Sequence, residues 1–400
     1  MSLSTRALVV ALLCAVSPSV SANVGQRDRA GFSMVDSKPG GAVVIPRYAT
    51  PPAFTGTGDG TMNYPVLPAV LWDFSTKTVK VPVETWTIIA TTPLTFSVTG
   101  SVSGAQAAAT VNVDYQTSSG IDFTINAGGT PFAIGDQFTF SIVDKLDAST
   151  LPGATSYTLT DDGYRVAPAP GFNISGYSTA QVDYAMIIRD DGYLSITNNP
   201  NTPPSLLKNF NATLPGNQAL PSRDLSMSGQ IEDVMPLWDD LLPKSTSKIW
   251  VATVGRSGSR NFVVEWVDFA HKDDPTASYT FEVVFFENAR RIRFQYLNMA
   301  DGTKTSANGS TATVGIQNTL TTLYAYNQYS MNSASLMNGL SIEFGIDSDG
   351  DRLPDGIEAQ YGTLPNNKFT DGGSPAISDG AQLAAGLDPT SAADNASKST

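Results

Sequence analysis

Short runs in which apolar and polar residues alternate mark the first half of the chain. Leu94, Phe96 and Val98 recur at period two, and Phe138 begins a second such run. Alternation between Gly-rich turns is typical of a half-buried β-strand. We therefore predict a small β-rich module over residues 56–146.

A second region, residues 157–346, shows the same alternation over longer runs. Ile292, Phe294 and Tyr296 point to one buried face, and the polar residues beside them are predicted to face water: Arg291, Arg293 and Gln295. Further strands are predicted at residues 249–254, 262–267 and 281–286. Because turn residues recur about every ten positions and helical periodicity is missing, the pattern favours an antiparallel β-sandwich.

The first 22 residues have the pattern of a secretory signal peptide. Arg6 precedes an apolar run over residues 7–16, Pro18 interrupts it, and small residues end at Ala22. The run is shorter than the roughly 20 residues that a membrane-spanning helix needs. We therefore predict a secreted or cell-surface protein, periplasmic or extracellular, with no membrane span after cleavage. Residues 23–55, punctuated by Pro and Gly, are predicted to form a loosely ordered lead-in.

Composition narrows the classes of function. The 400 residues include 37 acids and 24 bases, a formal net charge of −13, which disfavours nucleic acid as a partner. With a single His and a single Cys, most zinc sites, Cys-His nucleophile pairs and disulfide frameworks lack their parts. Any catalysis would therefore depend on carboxylates or on a metal.

Regularly spaced carboxylates after residue 346 give the sharpest chemical signal. Acids alternate with small residues, and one main-chain carbonyl between them can also face inwards. The predicted metal ligands are Asp347, Asp349, Asp351, Leu353, Asp355 and Glu358. Calcium takes six to eight oxygen ligands, and this spacing lets one short loop wrap around the ion. We therefore predict Ca²⁺ as the cofactor.

A second, degraded copy of the acidic loop follows. Asp371 and Asp379 stand among Gly and Ser residues, but Ala381 and Gln382 replace the acidic end. We predict one good calcium site and one degraded site, with Asp371 and Asp379 as the remaining ligands of the latter. The alternative is that these acids form a solvated, flexible linker whose charge aids solubility.

The segment at residues 347–400 resembles the calcium-binding thrombospondin type 3 repeat, in which Asp and Gly alternate in this way. Residues 361–366 and 386–389 resemble the connections between such repeats. Arg352 departs from the family, because the repeat usually has Gly there for a sharp turn. A non-Gly residue held at positive φ costs on the order of 1 kcal/mol, so we expect a reduced calcium affinity.

Five blocks in the second region resemble a bacterial extracellular domain related to the nidogen-type β domain. They occupy residues 191–195, 236–241, 263–266, 293–297 and 312–318. One departure is Asn288-Ala289-Arg290, where the family's hairpin usually has a Gly. The resemblance implies an extracellular interaction domain and brings no catalytic residue with it.

The small module resembles a β-rich domain that recurs in phage head-decoration and other exported proteins. The similar segments are residues 56–61, 85–87, 96–98 and 132–138. This resemblance implies architecture alone.

Together these features predict an all-β chain: a small β-rich module followed by a larger antiparallel β-sandwich, with a loop-rich calcium-binding tail over residues 347–400. We expect a secreted, non-catalytic calcium-binding protein for extracellular adhesion, matrix or surface interaction, with an extracellular protein or a glycan as partner. The alternatives are a secreted polysaccharide hydrolase and a calcium-dependent carbohydrate-binding protein. Adjacent Asp239 and Asp240 invite a hydrolase interpretation, but neighbouring residues on a strand point to opposite faces.

Overall fold

The computed structural model describes most of the chain between residues 27 and 393. The described ranges are 27–38, 44–168, 170–174, 176–177, 185–197, 217–220, 231–304, 308–318, 325–373 and 376–393. These residues are nearly all β, which confirms the predicted fold class. The predicted signal peptide, residues 1–22, lies outside them.

Twenty-five strands form within the described residues and are numbered in chain order. The first is β1 (Phe32–Asp36). The small module holds β2 (Tyr48–Ala49), β3 (Ala53–Thr55), β4 (Thr61–Met62), β5 (Trp72–Asp73), β6 (Thr78–Val79), β7 (Glu84–Thr92), β8 (Thr95–Gly100), β9 (Gly104–Ala105), β10 (Ala109–Thr110), β11 (Asp114–Gln116), β12 (Asp122–Asn126) and β13 (Gln137–Val143). The others are β14 (Thr155–Tyr157), β15 (Tyr164–Pro168), β16 (Ala185–Arg189), β17 (Leu194–Thr197), β18 (Ile231–Trp238), β19 (Leu241–Val254), β20 (Asn261–His271), β21 (Asp274–Phe286), β22 (Arg291–Ala300), β23 (Thr313–Asn318), β24 (Ala325–Met331) and β25 (Ser341–Ile346).

Helices are short in the described residues. A 3₁₀ turn at Ala148–Thr150 precedes β14, and two α-helices follow β25: α1 (Asp355–Tyr361) and α2 (Asp379–Ala384). Neither is long and apolar enough to cross a membrane.

Two antiparallel sheets pack face to face as a β-sandwich. The large sheet has the strand order β1-β25-β22-β21-β20-β19-β14, and the six-stranded sheet has the order β15-β16-β17-β18-β23-β24. In the core between them, Trp266 and Phe294 of the large sheet join Ile188 and Ile316 of the other. Burial of side chains of this size contributes about 1.5–3 kcal/mol each, so this core is the main source of stability.

Three of the predicted strands are confirmed with longer bounds. Residues 249–254, 262–267 and 281–286 lie within β19, β20 and β21, which pair with one another in sequence order. The small module builds a separate core on the sheet β10-β8-β7-β13-β2, with β3 on β13 and β9 on β8. Side chains of β13 alternate between buried and half-buried along the strand, as the period-two pattern predicts.

The segment at residues 23–55 contains more regular structure than the sequence predicts. Phe32–Asp36 forms β1 and pairs antiparallel with β25, from Phe32↔Ile346 to Asp36↔Ile342. Every residue of β1 is buried, so the strand shows no alternation and its pattern does not reveal it. The small module is consequently inserted between β1 and β14 of the sandwich.

The outer face of the large sheet is buried at Arg293 and Gln295 of β22, contrary to the prediction that these residues face water, while Arg291 is half-buried. Arg293 and Gln295 are 1% and 4% exposed, because the small module covers them. Arg293 Nη1 donates to Tyr48 Oη at 3.0 Å, and Tyr48 Oη donates to Gln295 Oε1 at 2.6 Å. Glu343 pairs with Arg293 and with Arg291 at 2.7 and 2.6 Å. This network attaches the small module to the sandwich.

Two acids lie opposite each other on the same outer face. Glu265 and Glu282 are register partners in β20 and β21. Glu265 Oε2 accepts a hydrogen bond from Ala148 N at 2.9 Å, and Glu282 Oε1 accepts one from Leu146 N at 3.4 Å. Burial raises the pKa of Glu265 to about 7 and raises the pKa of Glu282 well above its ordinary value. The connection between the small module and β14 therefore rests on buried acids that favour protonation.

We expect Tyr48→Phe to lower the free energy of unfolding by about 1–3 kcal/mol, because it leaves buried groups on Arg293 and Gln295 without their partner. Tyr326→Phe is the matched control: its side chain is 41% exposed, and we expect a change within about 0.5 kcal/mol. Urea denaturation measures both. Equal midpoints for the two variants would contradict the proposed role of the network.

The buried acids give stability a pH dependence. Because the folded state holds more protons on Glu265 than the unfolded state does, stability falls as pH rises from about 4.5 to about 7, and Glu282 extends the fall upwards. Glu282→Gln removes one of these acids. We therefore expect the variant to be more stable than the wild type at pH 8, and we expect this difference to be smaller at pH 4. Thermal denaturation at both pH values measures this. Asp114→Asn, on an exposed strand position, should follow the wild type.

Candidate metal centre

The first acidic loop, residues 347–358, continues directly from β25 at the edge of the sandwich. Asp347 N donates to Gly31 O at 2.8 Å, and Ser33 Oγ donates to Asp347 Oδ2 at 2.6 Å. Arg27 Nε donates to Asp347 O at 2.9 Å. Residues in and just before β1 therefore fix the position at which the loop begins.

Three of the predicted ligands converge in this loop. Asp347, Asp349 and Asp351 each offer one carboxylate oxygen, and these atoms lie within 4.8 Å of one another. The turn is tight because Gly350 N and Arg352 N donate to the two oxygens of Asp347 at 2.7 and 3.0 Å. Like charges held this close repel each other, so the arrangement favours protons or a cation between them.

Two carboxylate oxygens at this loop are buried without a hydrogen-bond partner: Asp349 Oδ2 and Glu358 Oε2. Burial, followed by the negative charges of Asp351 and Asp349, raises the pKa of Glu358 to about 9. Burial also raises the pKa of Asp349 and raises that of Asp351 to about 6. An unmet buried polar group costs about 1–3 kcal/mol, so these oxygens favour a cation or a proton as partner.

The other two predicted ligands lie around the same loop. Asp355 is the first residue of α1, and its two oxygens accept hydrogen bonds from Ser348 N and Ser348 Oγ at 2.8 and 2.7 Å. Leu353 N donates to Asp351 Oδ1 at 2.8 Å, while the Leu353 side chain is buried in the small module's core. The main chain at Leu353 thus lies beside the acids and its side chain anchors the loop.

The two α-helices lie where the sequence predicts only loops. The first, α1, follows the extended Pro354 and ends at Gly362, whose φ is +78°. Tyr361 packs against Trp72 and Phe74, with ring centroids 6.0 and 5.9 Å apart. Such short helices depend on tertiary packing, which explains why no periodicity predicts them. Packing of α1 on the small module holds the acidic end of the loop in place.

In the second acidic loop, residues 371–382, hydrogen-bond donors of the protein itself contact the carboxylates of Asp371 and Asp379. Asp379 begins α2 and accepts hydrogen bonds from Thr370 N and Thr370 Oγ1 at 2.9 and 2.6 Å. Asp371 Oδ2 accepts one from Gln382 Nε2 at 2.7 Å. The described contacts therefore satisfy this loop without a cation.

The two acidic loops contact each other and differ at one equivalent position. Gly380 N donates to Asp351 Oδ2 at 2.7 Å, and a Cβ at Gly380 would lie 2.6 Å from Asp351 O. Glu358 is the fourth residue of α1, and Gln382 is the fourth residue of α2. The Gln382 amide donates a hydrogen bond, whereas Glu358 Oε2 has no donor. The second loop is therefore closed by an amide, and the first presents an unpartnered carboxylate oxygen.

Several residues that shape the site have no signal in the local sequence. Ser33 and Arg27 lie 314 and 320 residues from Asp347 along the chain. Gly380 is part of an Asp-Gly pair, which signals a turn but not a contact with the first loop. The pairing of β1 with β25 brings Arg27 and Ser33 to the loop, and the packing of α2 brings Gly380 to it.

The candidate hydrolase residues point in different directions. Asp239 is buried, accepts a hydrogen bond from Thr311 Oγ1 at 2.7 Å, and lies 3.5 Å from His271 Nε2. This contact raises the pKa of His271. Asp240 pairs with Lys272 at 3.2 Å on the surface. Asp239 and Asp240 therefore do not face one groove as a carboxylate pair would.

Comparison with known proteins identifies the sandwich. The sequence model of a family described as NIDO related matches residues 137–343, just over half of the 400 residues. No curated protein and no solved structure matches the chain. The match confirms the nidogen-like prediction for the second region. The thrombospondin type 3 and phage-decoration resemblances stay predictions.

Arg352 offers a test of strain in the first acidic loop. Its φ is +80°, where a side chain is unfavourable and Gly is not. We expect Arg352→Gly to be more stable than Arg352→Ala by about 1 kcal/mol, because both remove the charge and only Gly relieves the backbone. Chemical denaturation of the two variants measures the difference. If the Ala variant were equally stable, the backbone at this position would not be strained.

Proposed function

The chain belongs to the nidogen-related family, and from this premise we propose that it is a secreted, non-catalytic protein that binds calcium through its first acidic loop. Its role is extracellular adhesion, matrix or surface interaction, with a protein or a glycan as partner. The observation that carries the proposal is the unpartnered, buried Glu358 Oε2 beside the converging carboxylates of Asp347, Asp349 and Asp351.

Calcium matches the chemistry of this loop. The side chains offer only oxygen ligands, and a hard cation that takes six to eight oxygens prefers this set. The ion would occupy the space between Asp347, Asp349 and Asp351 and would also meet Glu358. One divalent charge would replace the repulsion among these acids by attraction. Softer metals favour Cys and His ligands, which the loop lacks.

The free energy of calcium binding limits how much of the structure calcium can stabilise. Extracellular modules bind calcium at about 0.1–1 mM. At about 1 mM calcium and a dissociation constant near 0.1 mM, binding adds roughly 1.4 kcal/mol of stability. This is small beside the core of the sandwich but comparable to the packing of one short helix. Calcium therefore acts locally, on the loop and on α1.

The position of the loop turns this local effect into a structural one. Asp347 is bonded to Ser33 of the sandwich, and Tyr361 of α1 packs on Trp72 of the small module. A cation that ties Asp347 to Glu358 would connect the β1 edge to α1. We infer that calcium stiffens the junction of the sandwich, the small module and the C-terminal segment, and so presents a defined surface to a partner.

Glu358→Gln tests the proposal, because we expect its effect on resistance to proteolysis to be opposite with and without calcium. In the presence of a chelator, we expect the variant's C-terminal segment to be more resistant to limited proteolysis than the wild type's, because the variant removes a buried, repelled acid. With 1–10 mM calcium, we expect the wild type to become more resistant while the variant gains little. Isothermal titration should show about tenfold or greater loss of calcium affinity.

Asp388→Asn is the control, because it removes an acid from the same segment outside both acidic loops. It should gain resistance with calcium as the wild type does. The double variant Asp349→Asn/Asp351→Asn should lose the calcium response altogether. A wild-type segment that is cleaved at the same rate with and without calcium would refute the proposal.

A further inference from the structure

An open cleft of about 360 Å³ lies where the small module meets the sandwich, and we call it the junction cleft. On one side it is lined by Pro46, shortly before β2, and by residues 144–145, directly after β13. On the other side it is lined by residues 295–297 of β22 and by residues 338–341, the turn that leads into β25. Small-molecule sites often lie at such junctions and measure about 300–1,000 Å³. The junction cleft therefore has the size of a site for one small chemical unit.

Hydrogen bonds fix the shape of the junction cleft. Gln295 Nε2 donates to Asp144 O at 2.8 Å, which ties the two sides together. On the sandwich side, Gly339 N donates to Tyr296 O at 2.8 Å, and Tyr296 N donates to Leu340 O at 3.0 Å. The lining is therefore preorganised, so little conformational entropy is lost when a ligand binds.

The walls of the junction cleft carry polar groups that the protein itself leaves available. Asp144 and Lys145 are exposed, and neither forms a salt bridge within the described residues. Asn338 Oδ1 accepts a hydrogen bond from Met299 N at 2.5 Å, which leaves the two N–H donors of the Asn338 amide for a ligand. The cleft thus offers a carboxylate as acceptor and an ammonium and an amide as donors.

The junction cleft lacks the features by which proteins usually recognise a peptide. Known modes add a strand to an open sheet edge, place an apolar helix in a groove, or pack prolines on aromatic rings. Here β22 and β25 pair with each other, so neither presents an open edge to the cleft. The aromatic residue of the lining, Tyr296, is 1% exposed, and its hydroxyl donates to Pro236 O at 2.6 Å.

A sugar unit matches the lining better. A hydroxyl group is both donor and acceptor, so neighbouring sugar hydroxyls can meet the carboxylate of Asp144 and the N–H groups of Lys145 and Asn338 together. Pro46 and Leu297 are half-buried and offer apolar surface to the C–H groups of the ring. A pyranose combines these two kinds of surface in one small unit.

We propose that the junction cleft is a carbohydrate site that takes one neutral hexopyranose unit of a glycan. This inference rests on the proposed function, because it names a glycan as the partner and gives the place where the glycan binds. The lining residues lie outside both acidic loops, so the sugar binds without calcium as a ligand. Since no exposed aromatic ring is available for stacking, the affinity for one unit is low, and several units on one surface would strengthen attachment by multivalency.

An NMR titration of the full-length chain tests the proposal, with the methyl glycosides of glucose, galactose, mannose and N-acetylglucosamine as probes and saturation transfer to the sugar as readout. We expect binding of at least one of them. Asn338→Asp keeps the Oδ1 acceptor for Met299 N but removes both amide donors, so we expect about a tenfold loss of affinity. Lys145→Gln should lose a similar amount.

Lys80→Gln is the matched control, because it removes an exposed cation outside the junction cleft and should bind as the wild type does. Far-UV circular dichroism checks the folding of each variant. Absence of saturation transfer to every glycoside would overturn the proposal, and so would equal affinities of the wild type, Asn338→Asp and Lys145→Gln. Binding of trialanine but of no glycoside would assign the cleft to a peptide and likewise overturn it.

Failure of this proposal can be told apart from failure of the calcium loop. The Asp349→Asn/Asp351→Asn double variant should still bind the sugar, with and without a chelator. Loss of sugar binding in that variant or in the chelator would place the carbohydrate at the first acidic loop and refute the junction cleft. Sugar binding by a wild-type protein that binds no calcium would support the cleft and refute only the calcium part of the proposed function.

Discussion

The antiparallel pairing of β1 with β25 is the interaction on which the arrangement of the molecule depends. It closes one edge of the large sheet, from Phe32↔Ile346 to Asp36↔Ile342. The chain leaves β1 towards the small module and leaves β25 towards the first acidic loop. Because the pairing is antiparallel, these two exits lie at opposite ends of the strand pair: Asp36 lies opposite Ile342, and Ile346 lies opposite Phe32. The first acidic loop therefore starts beside the beginning of β1, where Asp347 N donates to Gly31 O and Ser33 Oγ donates to Asp347 Oδ2. This strand pair therefore fixes the point at which the candidate metal centre begins.

A common physical contrast separates the acids of this protein into two groups. Asp233, Asp274, Asp355 and Asp379 are surrounded by donors and serve the fold. Asp190, Asp349 and Glu358 each bury at least one oxygen that no donor meets. Since an unmet buried carboxylate is costly, the second group indicates where a proton or an external cation would lower the free energy most. Asp347 and Asp351 belong to neither group, because donors meet their oxygens and they still lie beside Asp349.

The sequence predicts those features that depend on neighbours along the chain. Alternating side chains reveal β13 and the long strands β19 to β21, and regular spacing reveals the acids of the first loop. The burial and contacts of a residue cannot be predicted in this way when the residues around it come from distant parts of the chain. The strand β1 is buried on both faces, Arg293 and Gln295 are covered by Tyr48, and α1 is too short to show a period. The hydrogen bond from Ser33 to Asp347 cannot be predicted from the sequence for the same reason.

The insertion of the small module between β1 and β14 has a consequence for biosynthesis. A ribosome makes β1 first, and its partner β25 emerges roughly three hundred residues afterwards. Until then β1 is an apolar ribbon with open main-chain groups, the kind of edge that recruits foreign strands. The strands of the small module can pair meanwhile, since its own sheet does not use β1, but its core is completed only when Leu353, Ile357, Tyr361 and Leu383 have been made. Completion of the large sheet is thus a late event in the synthesis of the chain, and a chaperone that shields β1 until β25 has been made would protect the step most exposed to aggregation.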